Sequence, residues 1–251
     1  MSSPLQSTFA SSPFVACFRK DDGSTRSRSV SPVVLSGQVE LPAVPDKLRV
    51  DWRRDISEQL QLEPGIVEAL SLPRARARWP DFANCIQSLS RWLATSGLPD
   101  VLKEAETALM ACLGANYHHD GAHYAGSAFC NLYLSEDAGL DMHFPHAAKR
   151  IPLARGTVVI FDTCQPHAII QRGSSGFSAE DFAGDPDLAQ VFLTWELPIE
   201  NPHLLRALDI VLDVDDRLHD QQECDQVLFK GAPFCVCPES GLLTQATSLH
   251  A

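Results

Sequence analysis

The sequence predicts an α+β fold, with a helical layer in its first half and an all-β core of short strands in its second. Two patterns predict it. Between residues 46 and 115 apolar side chains recur at helical spacing, most clearly in DFANCIQSLSRWLATSG from Asp81. After 115, β-branched and aromatic runs alternate with turn residues: SAFCNLYLS (127–135), LDMHF (140–144), IPL (151–153), GTVVIFD (156–162), HAIIQ (167–171) and QVFLTWEL (190–197). A chain of 251 residues, 45% hydrophobic and 21% charged, is long enough to bury a sizeable core around such a plan.

Residues 1–45 are rich in Ser, Pro and Gly, and contain two β-like runs, PFVACF (13–18) and PVVL (32–35). They predict a partly flexible lead-in with one or two edge strands. A single domain is expected from 46 to 251, with helical support at 46–115, the β core at 116–197 and a C-terminal extension at 198–251. In ISEQLQLEPGIVEALSL the Pro64-Gly65 break divides two short helices. VLKEAETALMACLG (101–114) reads as a further helix closed by Gly114. Residues 200–220 are mixed helix or strand, followed by a coiled tail.

A net charge of -12 argues against a nucleic-acid groove, which needs a basic face, and against docking on anionic lipid. A small molecule is the expected partner. No apolar run approaches the roughly 18–20 residues that span a bilayer, and the N-terminus has no basic segment leading into a long apolar one. The eight cysteines are dispersed and read as free, mostly buried thiols of a reducing, cytoplasmic compartment. Only Cys224, Cys235 and Cys237 group together; with His219 nearby they could hold zinc, but at a spacing that fits no familiar zinc module.

The chain has 9 histidines, and three of them fall in YHHDGAHYAG at 117–126. A mononuclear non-haem iron site needs two imidazoles and one carboxylate on one face, with the other coordination positions open. Residues two apart on a strand point the same way, so His118 and Asp120 form such a pair and His119 faces away. The third ligand must come from another strand. GTVVIFDTCQPH is a continuous apolar run that delivers His167 at its mouth, 47 residues after Asp120. Asp141 and His143 are a competing pair at the same spacing, and His123 is a loop histidine near the pocket mouth.

With the downstream GTVVIFD and Pro-His, the pattern resembles the Fe(II)/2-oxoglutarate-dependent oxygenases, over about residues 116–197. DAGLDMHF resembles that family's glycine-rich turn and strand, and QVFLTWEL its closing strand. The resemblance implies a double-stranded β-helix (jelly-roll, cupin-like) core with N-terminal support helices. It assigns Fe(II) to His118, Asp120 and His167, and implies 2-oxoglutarate and O₂ as co-substrates. The implied reaction is oxidation of an unactivated C–H bond of a small molecule, hydroxylation by default, with release of succinate and CO₂.

The family holds the far carboxylate of 2-oxoglutarate with a basic residue about nine to eleven positions after the distal histidine. Here those positions are Gly176, Phe177 and Ser178. The nearest candidate is Arg172, which on a regular strand has the opposite parity to His167; Lys149, Arg150 and Arg155 are others. Asn131 and Tyr133 share a strand face and could hydrogen-bond the co-substrate. The long segment 173–189 suggests a lid, and its acids Glu180, Asp181, Asp185 and Asp187 favour an amine-bearing substrate such as an amino acid. Two other functions fit the same pattern: a cupin-type mononuclear iron oxygenase that does not use 2-oxoglutarate, and a non-catalytic β-sandwich binding module.

Overall fold

The computed structural model describes residues 13–20, 22–183, 186–215 and 225–245. In chain order the elements are β1 (Phe14–Arg19), β2 (Thr25–Ser29), β3 (Leu35–Gln38), α1 (Asp46–Arg54), β4 (Val67–Leu70), α2 (Leu72–Arg78), α3 (Phe82–Thr95), β5 (Glu106–Cys112) and β6 (Ala115–His118). Then come α4 (Gly121–Tyr124), β7 (Ser127–Tyr133), β8 (Leu140–Phe144), β9 (Lys149–Pro152), β10 (Thr157–Asp162) and β11 (His167–Gln171). The chain continues through β12 (Gln190–Pro198), α5 (Pro202–Ala207), β13 (Gln226–Phe229), β14 (Ala232–Val236) and β15 (Leu243–Gln245).

Two sheets form the core. The larger has the order β3-β10-β7-β12-β5-β4, the smaller β6-β11-β8-β9, and all pairings within them are antiparallel. From β5 to β12 the chain passes back and forth between them: β5, β7, β10 and β12 lie in the larger sheet, β6, β8, β9 and β11 in the smaller. That winding is a double-stranded β-helix, and the fold is α+β. A third sheet, β15-β14-β13-β1-β2, joins segments from the two halves of the chain.

The strands from 127 to 198 lie where the alternation predicts. β10 is buried along its whole length because it sits between β3 and β7. The helix expected at 81–97 is α3, with Phe82, Cys85, Leu89 and Leu93 as its buried stripe. It packs so closely over β3 that a Cβ at Gly37 would lie 2.3 Å from the Trp92 ring nitrogen.

The helix expected at 101–114 is overturned. Residues 106–112 are β5, paired over all seven positions with β12 and flanked on its other side by β4. Glu, Ala, Leu and Met carry helix propensity, but propensity is a weak prior against two ladders and the burial of Leu109 and Ala111 at 1% and 0% exposure. The second short helix of the Pro64-Gly65 pair is likewise a strand, β4, completing the sheet edge.

Arg28 of β2 reaches into the core. Both it and Asp162, at the end of β10, are fully buried, and they pair through two hydrogen bonds of 2.6 and 2.8 Å. The same carboxylate accepts from the Ser31 and Cys164 amides at 2.8 and 2.9 Å. Each of the seven described cysteines is a free thiol, five of them buried. Cys224 and His219 lie outside the described residues. No helix among those described is long and apolar enough to cross a membrane.

Candidate metal centre

The ligand-bearing segments are fixed by backbone pairing. β6 and β11 run antiparallel with His118 directly opposite His167, and a register shift between His167 and Ile169 places three residues of β6 against two steps of β11. That bulge lets Ala115 and His118 both face the space between the sheets, although they are an odd number of residues apart. Asp120 follows at once. Its amide donates to the Thr163 carbonyl at 2.8 Å, and the Thr163 hydroxyl donates to the Tyr124 and Ser127 carbonyls at 2.6 and 2.9 Å. The Asp120 loop is thereby tied to the turn that delivers His167, and the Arg28–Asp162 pair anchors that turn from behind. Gly121 keeps the loop close: a Cβ there would lie 2.3 Å from Val227 and 2.8 Å from the Cys164 sulfur.

His118, Asp120 and His167 bring one ligating atom each to within 4.8 Å of one another, the only such group among the described residues. The Nε2 atoms of both histidines lie 3.6 Å from the Asp120 carboxylate, one on each oxygen. Nδ1 of His118 is 2.7 Å from the Asn116 carbonyl, and Nδ1 of His167 is 2.9 Å from the Gln165 carbonyl. A carbonyl only accepts, so each Nδ1 carries the proton and each Nε2 lone pair points at the centre. Phe161 and Phe144 pack on the His167 ring, with centroids 4.7 and 5.9 Å away.

Burial first, then the neighbouring His118, holds the His167 imidazole well below its ordinary range, so it stays neutral. Burial raises the Asp120 carboxyl, against the opposing pull of His118. Metal–ligand bonds of about 2.0–2.2 Å put donors at right angles roughly 3 Å apart, so a small inward movement from 3.6 Å suffices. Two imidazoles and one carboxylate on one side, with the other side open to a cavity, fit Fe(II).

The cavity between the sheets measures about 350 Å³. Glu106, Glu196, Phe129 and Tyr124 line it at the metal end; Met110, Met142, Phe192 and Tyr133 line the far end. Asn131 and Thr194, direct partners across β7 and β12, lie between. Asn131 Oδ1, Thr194 Oγ1 and both side-chain amide atoms of Gln190 are buried without a hydrogen-bond partner. Gln190 starts β12 on the strand face that Phe192 and Thr194 share. The Tyr133 hydroxyl meets only the Met142 sulfur, at 3.7 Å, and the Asn131 amide, and burial pushes its pKa up. Among the described residues no lysine or arginine lines the cavity.

The expected co-substrate residues therefore separate. Asn131 and Tyr133 face the cavity; Arg172 does not. It lies on the outer side of the smaller sheet, bonded to Asp141 at 2.9 Å and to Asp137 at 2.9 and 3.0 Å. Its odd spacing from His167 is not reversed, because the bulge is in β6 and not after β11. Lys149 donates to the Val34 carbonyl, Arg150 to the Ser174 carbonyl, and Arg155 to Glu136 and the Leu41 carbonyl. The competing pair Asp141 and His143 also faces outward, where the Tyr117 hydroxyl meets His143 Nδ1 at 2.5 Å.

None of the described residues of segment 173–189 lines the cavity. Phe177 stacks on Phe182 at 5.6 Å, and the Phe177 amide donates to the Glu239 carbonyl. Asp187 pairs with Arg53, and Asp185 lies outside the described residues. Thr194, Gln190, Glu196 and Glu106 escaped the sequence reading. The alternation of QVFLTWEL does place the first three on one face, but Glu106 was hidden in an apparent helix.

No family model and no curated protein matches this sequence. Solved structures do overlap with it. A viral collagen prolyl hydroxylase from Paramecium bursaria Chlorella virus-1, in complex with 2OG, matches at 8% identity over 66% of this chain and 94% of its own, TM-score 0.41. A 2OG-Fe(II) oxygenase family oxidoreductase from Burkholderia pseudomallei matches at 14% over 67% and 86%, TM-score 0.34. The non-haem alpha-ketoglutarate-dependent carbocyclase SnoK of nogalamycin biosynthesis matches at 12% over 69% and 85%, TM-score 0.33. Overlaps this loose transfer no activity, so the chemistry has to come from the residues themselves.

Proposed function

We propose that the chain is a non-haem Fe(II)- and 2-oxoglutarate-dependent oxygenase, cytoplasmic, that hydroxylates an unactivated C–H bond of a small molecule. The observation that carries the reading is the trio His118, Asp120 and His167, with both Nε2 lone pairs aimed by backbone carbonyls at one point on the cavity wall. When bound, Fe(II) with 2-oxoglutarate and O₂ supplies the oxidising power, and succinate and CO₂ are the co-products. The protein's share is to position the reactants and to keep water out. Phe161, Phe129 and Ile169 form apolar walls beside the ligands. The Tyr133 hydroxyl, the Asn131 amide and the Thr194 hydroxyl hold the far carboxylate of the co-substrate by hydrogen bonds from uncharged donors.

The experiment is an anaerobic titration of the apo protein with Fe(II) and then 2-oxoglutarate, followed by the weak visible charge-transfer band of a chelated keto acid. A band in the wild type that is missing in His167→Ala supports the proposal. Iron binding without a band refutes the co-substrate. That result favours an iron oxygenase of cupin type, the reading supported by the lack of any lysine or arginine on the cavity wall among the described residues. No iron binding refutes both.

A further inference from the structure

Strand pairing fixes His118 against His167, but Asp120 belongs to no strand. It lies in the turn into α4, and His167 follows the turn at 163–166. The place of the carboxylate relative to the imidazoles therefore depends on what holds these two turns together. Thr163 makes one link from within the second turn. Another link comes from outside both.

Arg28 supplies it from β2 of the third sheet. A guanidinium has five N–H donors in a planar fork, and in Arg28, 0% exposed, all five have partners. Nη1 and Nη2 donate to the two Asp162 oxygens at 2.6 and 2.8 Å, and their second protons go to the Ser29 carbonyl at 3.1 Å and the Cys164 sulfur at 3.2 Å. Nε donates to the Ala125 carbonyl at 2.7 Å, just past α4. One helical turn joins that carbonyl to Asp120, whose own carbonyl accepts from the His123 and Tyr124 amides at 3.0 and 2.9 Å. Charge pairing with Asp162 uses two of the five donors; the others divide the fork between the turn that carries Asp120 and the turn that carries His167.

The rest of the third sheet acts on the same loop. The Ala125 amide donates to the Asp225 carboxylate at 3.2 Å, and Asp225 also accepts from the Arg19 amide of β1 at 3.1 Å. A Cβ at Gly126 would lie 3.1 Å from the Phe18 ring of β1, and the His119 ring packs on Phe234 of β14 at 5.2 Å. Both backbone polar groups of Ala125 thus end on residues of, or next to, the third sheet.

We infer that Arg28 is a positioning residue of the metal centre: by gripping both turns, its guanidinium sets where the Asp120 carboxylate stands relative to His167. The inference rests on the function proposed above for the identity of the metal.

The test measures Fe(II) affinity by anaerobic equilibrium dialysis, and stability by denaturant unfolding, on the same full-length variants. Arg28→Lys keeps a cation against Asp162, but its three donors sit on one nitrogen and cannot reproduce the fork. It should fold and bind Fe(II) roughly tenfold more weakly or worse, the range for loss of a group that supports a ligand. Arg28→Met with Asp162→Leu should be more stable than Arg28→Ala without any return of iron affinity. That split is one a purely structural arginine would not produce.

Wild-type affinity in Arg28→Lys, or affinity that returns with stability in the double variant, overturns the inference. If the double variant does not fold, Arg28→Lys decides alone. The two proposals fail differently. A wild type that binds no Fe(II) refutes the oxygenase and this inference with it; equally tight binding in the wild type and in the Arg28 variants refutes only the role of Arg28.

Discussion

The two ends of the cavity are built on opposite principles. At the metal end the groups that position the ligands are bonded: both Nδ1 atoms by carbonyls, the Asp120 amide by Thr163, and the turn before His167 by Asp162 and Arg28, with only the Gln165 side-chain oxygen of that turn left unbonded. Further along the cavity Asn131 and Thr194 leave buried atoms unbonded, as does Gln190 at the start of β12, outside the cavity lining. Unsatisfied buried groups cost about 1–3 kcal/mol each. The contrast separates a metal end whose ligand-bearing groups are bonded from a middle where two side chains facing the cavity are not.

The largest effect should come from breaking the complete end. His167→Ala and Asp120→Ala each remove a ligand, and turnover should be abolished. Fe(II) affinity should fall by more than the roughly 10–100-fold that loss of a supporting partner costs. Equilibrium dialysis with Fe(II) and a melting curve of each variant check this; Asp120→Ala should keep the fold, while His167→Ala, whose ring packs on Phe161 of the larger sheet, should fold but melt lower. Retained activity in both variants would remove the metal centre from the mechanism.

Next is the support behind the turn. Arg28→Ala leaves the Asp162 carboxylate fully buried and without its cation, which typically costs about 3–5 kcal/mol. Denaturant unfolding should show that loss. Conversion of both partners to apolar residues, Arg28→Met with Asp162→Leu, should recover part of it. A loss under about 1 kcal/mol for Arg28→Ala would mean that water replaces the guanidinium, and that the turn is not held from behind.

The same contrast explains what the sequence makes legible. Strands after residue 126 are legible because short β-branched and aromatic runs are separated by turn residues, and β10, buried along its whole length, reads as one continuous apolar run that ends in the turn before His167. His118 and Asp120 are legible as a spaced pair, but not by a shared strand face: β6 ends at His118, and Asp120 lies in the turn into α4. β5 is not legible, because ETALMAC is composed of good helix formers and only its partners β12 and β4 make it a strand; Glu106 was lost with it. Gln190 and Thr194 carry no signal in a single sequence. An uncharged polar residue on a strand becomes notable only when the structure shows that its side-chain atoms are buried and unbonded.

At the far end the expected sign reverses. Thr194→Val removes a buried hydroxyl that has no partner, so the ligand-free protein should become more stable, by about 1 kcal/mol, while 2-oxoglutarate binding weakens. Gln190→Met should act in the same direction on stability. Chemical denaturation without co-substrate and titration with it read the two effects separately. If Thr194→Val destabilises the ligand-free protein, the hydroxyl has a partner in the folded state and the contrast between the two ends is lost.

The smallest effect is in the pH dependence of stability. His167, His119 and His143 are all held below their ordinary 6.5, in each case with burial as the first cause. Below that value the unfolded chain binds protons that these imidazoles refuse in the folded state. Stability is therefore fully present above pH 6.5 and is lost as pH falls from 6.5 toward the folded pKa values. Asp120, raised by burial, works in the other direction: the stability it adds is present at low pH and is lost as pH rises through its folded pKa. His167 is shifted furthest, so His167→Gln should flatten the slope of unfolding free energy against pH just below 6.5 more than His143→Gln does. Bound Fe(II) should steepen that slope, because protons then compete with the metal for Nε2. A profile that is flat between pH 5 and 7 in the apo protein would show that the imidazoles are not desolvated, and the metal end would lose the rigidity that sets it apart from the rest of the cavity.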